Sequence, residues 1–178
     1  WSVVVTAPKA GTGETERYTY SVPASTTSTS VAIPLGYYND DEDSNYFSRV
    51  SVVVNDSAGE VITTIYVDAS SCTLTGLPEG KTGIGLGTVV TPTPPPVEEE
   101  EPAVASLFIV SDGKIDALDV TNFFDTTPPV LTAGGAENTY NVTGTLVKTT
   151  LKNGSEGWAI PMRVSLDKEA GDLWTVAI

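Results

Sequence analysis

Apolar and polar residues alternate with a period of two along most of this chain, and no stretch holds a 3.6-residue period over three turns. Before residue 91 the alternation predicts strands at 2–7, 17–22, 30–35, 47–55, 60–67, 72–77 and 84–90, bounded by Gly, Pro, Asn and Asp. Asn55-Asp-Ser-Ala-Gly59 lies between two β-branched runs and predicts a hairpin turn. Beyond residue 104 the pattern continues with strands at 106–110, 145–152, 158–166 and 173–178. Asn153-Gly154 predicts a two-residue hairpin with a type I′ turn, because both residues tolerate positive φ. Only 116–124 could form a short helix. The expectation is an all-β chain built as antiparallel sandwiches.

One segment breaks the pattern. Thr91-Pro-Thr-Pro-Pro-Pro-Val-Glu-Glu-Glu-Glu-Pro102 combines φ-locking prolines with adjacent like charges, which favour an extended spacer of about 3.1 Å per residue. The chain therefore reads as two small immunoglobulin-like sandwich domains, 1–90 and 104–178, joined by a Pro/Glu-rich linker at 91–103.

Composition narrows the chemistry. The 178 residues carry 23 acidic and 9 basic side chains, a formal charge of −14, with no histidine and one cysteine. That excludes a Cys/His zinc site and any imidazole relay. Phosphate neutralisation needs clustered Lys and Arg, so nucleic acid is not an expected partner at a pI near 4.1. No apolar run approaches the ~20 residues of a membrane span. Cys72 stands two residues from Leu74 and reads as a small buried hydrophobe. The chain opens on Trp1 rather than Met, which fits a processed, secreted polypeptide or one trimmed at its ends.

Residues 49–82 carry a family likeness. Arg49-Val-Ser-Val-Val-Val-Asn-Asp-Ser-Ala-Gly-Glu-Val61 is followed by Ser71-Cys-Thr-Leu-Thr-Gly-Leu-Pro-Glu-Gly-Lys-Thr82. This resembles the middle of a fibronectin type III or related immunoglobulin-like domain. The resemblance implies a hairpin, then a strand whose Gly-Leu-Pro-Glu-Gly turn crosses to the opposite sheet. It implies a binding or spacer module and carries over no functional residue. Gly83 and Ile84 stand where the family places a tyrosine, and 17–22 lacks its early core Trp.

Candidate sites are few. Asp41, Asp43 and Asn45 follow the start of a calcium loop, but Tyr46 replaces its glycine and Val52 its bidentate acid. Asp112-Gly-Lys-Ile-Asp-Ala-Leu-Asp119 resembles the back half of such a loop, yet Phe108 and Val110 supply no front ligands, so a turn is expected. Gly80-Lys81-Thr82 lacks the earlier glycine of a phosphate loop. Asp116 and Asp119 form a carboxylate pair, a motif too common here to imply glycosidase chemistry. No cofactor is expected beyond that calcium candidate. Asn55, Asn141 and Asn153 head glycosylation sequons, and the hairpin role of Asn153 leaves Asn55 and Asn141 as the better candidates.

Both ends read as uncharged apolar strands. Trp1, Val3 and Val5, or Trp174, Val176 and Ile178, could complete a sheet in a neighbouring copy. The function expected is a non-catalytic structural subunit of an extracellular filament, appendage or surface coat, its partners copies of itself joined by strand addition. One alternative is a virion surface or tail decoration protein. Another is a carbohydrate-binding or adhesion module, which would place Tyr37, Tyr38, Tyr46 and Phe47 in an exposed row for glycans.

Overall fold

The computed structural model describes residues 1–38, 44–76, 88–89, 110–111, 114–115, 129–168 and 174–177. Runs rich in Val, Thr and Tyr become strands because branched and aromatic side chains pack well on a pleated surface. They are β1 (Ser2–Pro8), β2 (Thr15–Ser21), β3 (Ser28–Tyr38), β4 (Ser44–Tyr46), β5 (Val50–Asn55), β6 (Val61–Val67), β7 (Thr73–Thr75) and β8 (Thr88–Val89). Then follow β9 (Val110–Ser111), β10 (Lys114–Ile115), β11 (Val130–Ala133), β12 (Thr139–Thr145), β13 (Val147–Thr150), β14 (Glu156–Lys168) and β15 (Trp174–Ala177). A single 3₁₀ turn, Ala69–Ser71, separates β6 from β7.

Two main sheets hold most of these strands. The larger runs β2-β1-β5-β6-β12-β7-β8, with β11 also on β12. The smaller runs β13-β14-β3-β4, with β15 also on β14, and β9 and β10 form a separate ribbon. Inward faces of both main sheets meet in one core that includes Val3, Val5, Tyr18, Ile33, Phe47, Val52, Leu74, Val142, Trp158 and Ile160. The all-β expectation holds, and two sheets around a shared core are compatible with a sandwich.

The expected division at 91–103 is not how the described strands pair. β12 runs parallel to both β6 and β7, in the sheet begun by β1. β14 lies antiparallel to β3 from Gly157↔Tyr37 to Ser165↔Ser28. Residues from both sides of the segment therefore share sheets and core. A shift in composition marks where the chain leaves a strand, but not which strand it pairs with next. The segment 91–103 itself lies outside the described residues, as do 116–124.

Two further points concern connections. The Gly-Leu-Pro-Glu-Gly turn of the resemblance lies outside the described residues beyond Gly76, and the next described strand, β8, pairs parallel with β7 in the same sheet. At Asn153-Gly154 only the glycine has positive φ, +86°. The loop is Leu151–Ser155, closed by Leu151 N–H to the Ser155 carbonyl at 2.9 Å and Gly154 N–H to the Leu151 carbonyl at 2.9 Å. The β5–β6 hairpin repeats this geometry, with Gly59 at φ +87° and Asp56 N–H bonded to the Glu60 carbonyl at 2.9 Å. Each is a tight turn followed by a left-handed glycine, the longer alternative to a two-residue loop.

Candidate functional site

Among the described residues, two places gather polar side chains. The first is built by β2, whose inward positions are Glu16, Tyr18 and Tyr20. Glu16 is the buried charged residue among those described, 8% exposed. The Tyr18 hydroxyl donates to Glu16 Oε2 and accepts the Lys152 backbone N–H at 3.2 Å. Glu16 Oε1 has no hydrogen-bond donor, but Lys9 Nζ lies 3.6 Å away, an ion pair longer than a hydrogen bond. Lys9 also donates to Glu14 at 3.1 Å and sits 5.2 Å from the centre of the Tyr37 ring. Lys152 Nζ reaches the Arg17 carbonyl at 2.5 Å, tying the β13–β14 hairpin to β2.

The electrostatics of this knot hold protons in place. Burial first, then the bond to Glu16, push the Tyr18 phenol far above its ordinary range. Burial pulls the Lys9 ammonium down, but its bond to Glu14 and the charges of Glu16 and Glu14 outweigh that, and the net shift is upward. Both shifts keep the Tyr18 phenol and the Lys9 ammonium protonated near neutrality. It fastens one end of the sandwich.

The second place is a cleft of about 270 Å³ at another part of the surface, lined by Trp1, Ala24, Thr26, Thr27, Asp56, Ser57 and Leu166. Trp1 is held by two backbone bonds to Val22 and by its indole N–H, which donates to the Thr26 carbonyl at 2.7 Å. The loop carrying Thr26 and Thr27 is pinned from the other sheet, where Leu166 N–H donates to the Thr27 carbonyl at 2.6 Å. Asp56 Oδ1 accepts the N–H groups of Ala58 and Glu60, which fixes the turn bearing Ser57.

The residues singled out from sequence fare differently. Tyr37 and Phe47 are buried and pack ring to ring at 5.0 Å, so they form no exposed row with Tyr46, which itself packs partly buried against the core. The Tyr38 and Asn45 side chains, with Asp41 and Asp43, lie outside the described residues, as do Gly80–Thr82, Asp112, Asp116, Asp119 and Ile178. No group of three potential metal ligands occurs among the described residues. Asn55 and Asn141 are half-buried in strands, whereas Asn153 is exposed, its Oδ1 accepting Ser155 N–H at 2.9 Å.

The terminal strands are also placed. β1 is central, paired with β2 on one side and β5 on the other, and Val3 and Val5 are fully buried in their own core. Trp1, Val3 and Val5 are thus not available to a neighbour, since a strand flanked on both sides has no free ladder. β15 pairs with β14 at Lys168↔Trp174 and Leu166↔Val176. Cys72 is buried with Leu74, and burial raises its thiol pKa. No helix among the described residues is long and apolar enough to cross a membrane. Glu16 escaped the sequence reading because the predicted strand began at 17; an acid in phase with Tyr18 and Tyr20 was the available signal. No family model, curated protein or solved structure matches this chain.

Proposed function

We propose that the chain is a non-catalytic structural module of an extracellular filament, appendage or surface coat, an immunoglobulin-like sandwich that joins copies of itself. The observation that supports this reading is the use made of its buried ionisable groups. Glu16, Tyr18 and Lys9 are engaged with one another and with the hairpin and turn residues around them. A charge of −14 favours solubility and mutual repulsion of unassembled copies, as an exported subunit requires. The virion decoration reading shares this logic and differs in compartment.

The contact between copies is assigned to the apolar strand β15, which has β14 on one side and no described strand on the other, an opening it shares with β4, β8, β9 and β11. Light scattering and negative-stain microscopy of the whole chain test the proposal. Concentration-dependent polymers are expected, and they should disappear on deletion of 173–178 while the thermal transition remains. A monomer at all concentrations, or polymers indifferent to that deletion, would refute it.

A further inference from the structure

We propose that the Trp1 cleft binds one neutral sugar ring, such as the terminal residue of a glycan. The cleft divides by chemistry. Trp1, Ala24 and Leu166 make an apolar floor, and Thr26, Thr27, Ser57 and Asp56 make a polar rim. Asp56 Oδ1 is occupied by two backbone donors, but its Oδ2 makes no hydrogen bond among the described residues, nor do the hydroxyls of Thr26, Thr27 and Ser57. Three hydroxyls that both donate and accept, beside one carboxylate oxygen that accepts, match a ring of vicinal hydroxyls. The flat indole suits the C–H face of such a ring, as an apolar body against an apolar body.

Size and charge narrow the ligand further. About 270 Å³ lies just below the usual range of roughly 300–1,000 Å³ for ligand sites, enough for one ring and too little for a buried chain. An anion is opposed by Asp56 and by the net charge of −14. A cation would find one aromatic face where recognition of ammonium groups uses several. The site is pre-formed: the indole is anchored to Thr26, the Thr27 carbonyl to β14, and the Asp56 carboxylate to its own turn. Little ordering is then required on binding. This inference is independent of the assembly reading, and either can fail without the other.

The test is saturation-transfer NMR on the whole chain with methyl glycosides of glucose, galactose, mannose and N-acetylglucosamine. At least one is expected to bind with a Kd on the order of 1 mM, as suits a ligand of about a dozen heavy atoms. Asp56→Asn keeps the Oδ1 acceptor and the turn, and should weaken binding about tenfold, roughly the effect of losing a charge-assisted hydrogen bond. Thr27→Val removes one rim hydroxyl and should weaken it by a smaller factor, with the thermal midpoint of both variants unchanged. Tetramethylammonium should not compete. The proposal is overturned if none of the four glycosides gives transfer at about 50 mM, far above the expected Kd. It is equally overturned if the variant that combines Asp56→Asn and Thr27→Val binds as tightly as the parent, or if tetramethylammonium displaces the sugar.

Discussion

Replacing Tyr20 by Phe removes one oxygen and tests how the free edge of β3 is closed. The Tyr20 hydroxyl accepts the Ala32 N–H at 3.0 Å and donates to the Ala32 carbonyl at 3.2 Å. Tyr20 is 7% exposed and Ala32 is fully buried, so no water replaces the lost partner. Each net hydrogen bond is worth about 0.5–1.5 kcal/mol, and a buried group left unpaired costs about 1–3 kcal/mol. The more apolar Phe ring recovers part of this, which leaves an expected loss of about 2 kcal/mol. For a chain of this size that lowers the thermal midpoint by about 4–8 °C.

Urea unfolding followed by tryptophan fluorescence gives the free-energy change, and Tyr66→Phe is the control. Tyr66 carries Arg49 over its ring at 3.9 Å, and its hydroxyl bonds to nothing among the described residues, so a change within about 0.5 kcal/mol is expected. Hydrogen exchange at the Ala32 amide adds a local readout, with faster exchange in Tyr20→Phe and none in the control. A loss below about 0.5 kcal/mol with unchanged Ala32 exchange would refute the edge-capping argument, since an unpaired buried pair of groups must cost more.

Three more outcomes follow from named contacts. Gly157→Ala should destabilise by about 1–3 kcal/mol in a thermal melt, because the new Cβ would stand 2.7 Å from the Gly36 carbonyl and 2.9 Å from Leu151 Cδ1. The folded-state pKa values of Cys72, Lys9 and Tyr18 are all raised above about 8.5–10.5. The stability they contribute is complete below those unfolded values and is lost as pH rises through the folded ones. Midpoints measured from pH 8 upward should accordingly stay level and then fall beyond about pH 9–10, with a shallower fall in Tyr18→Phe. Cleavage at a protease site inserted within 91–103 should leave the two fragments co-eluting with native circular dichroism, because β14 lies on β3 and β12 on β6 and β7. Separation into two independently folded pieces would restore the two-domain reading.

What could be read from the chain was local, and what could not was pairing. The strands near 2–7, 17–22, 60–67 and 158–166 were legible because alternation is a property of neighbours along the sequence. β12 was not predicted as a strand. Its Thr-Tyr-Asn-Val-Thr-Gly-Thr sequence buries one side chain fully, Val142, so it shows little alternation, yet it runs along β6 and then β7 on one edge with β11 on the other. Ladder bonds on both sides place it, and a sequence pattern does not record them. The aromatic row failed for a related reason. Tyr37 and Phe47 are adjacent in space on β3 and just beyond β4, but an aromatic run alone does not say which face meets the core. The Trp1 cleft is assembled from residues 1, 24–27, 56–57 and 166, a spacing that no motif captures.

The same accounting of edges decides where copies of this chain could meet. A sheet edge invites another strand unless something closes it. On β3, Ala32 faces outward with both groups taken by Tyr20, and Pro34, two residues on and facing the same way, has no N–H to offer. Pro161 stands opposite Ala32, so the missing N–H of β14 also faces outward, beside the exposed charge of Arg163. The outer edge of β2 carries exposed Arg17 between its inward residues. The N-terminal strand, though apolar, is the interior of its sheet. Among the described strands β4, β8, β9, β11 and β15 are uncharged and paired with a single strand. Proline, a tyrosine hydroxyl and charge guard the open stretches of β2, β3 and β14, so deletion of 173–178 tests one unguarded edge without disturbing the interior of either sheet, whereas deletion of 1–7 would remove the β1 strand that β2 and β5 both pair with.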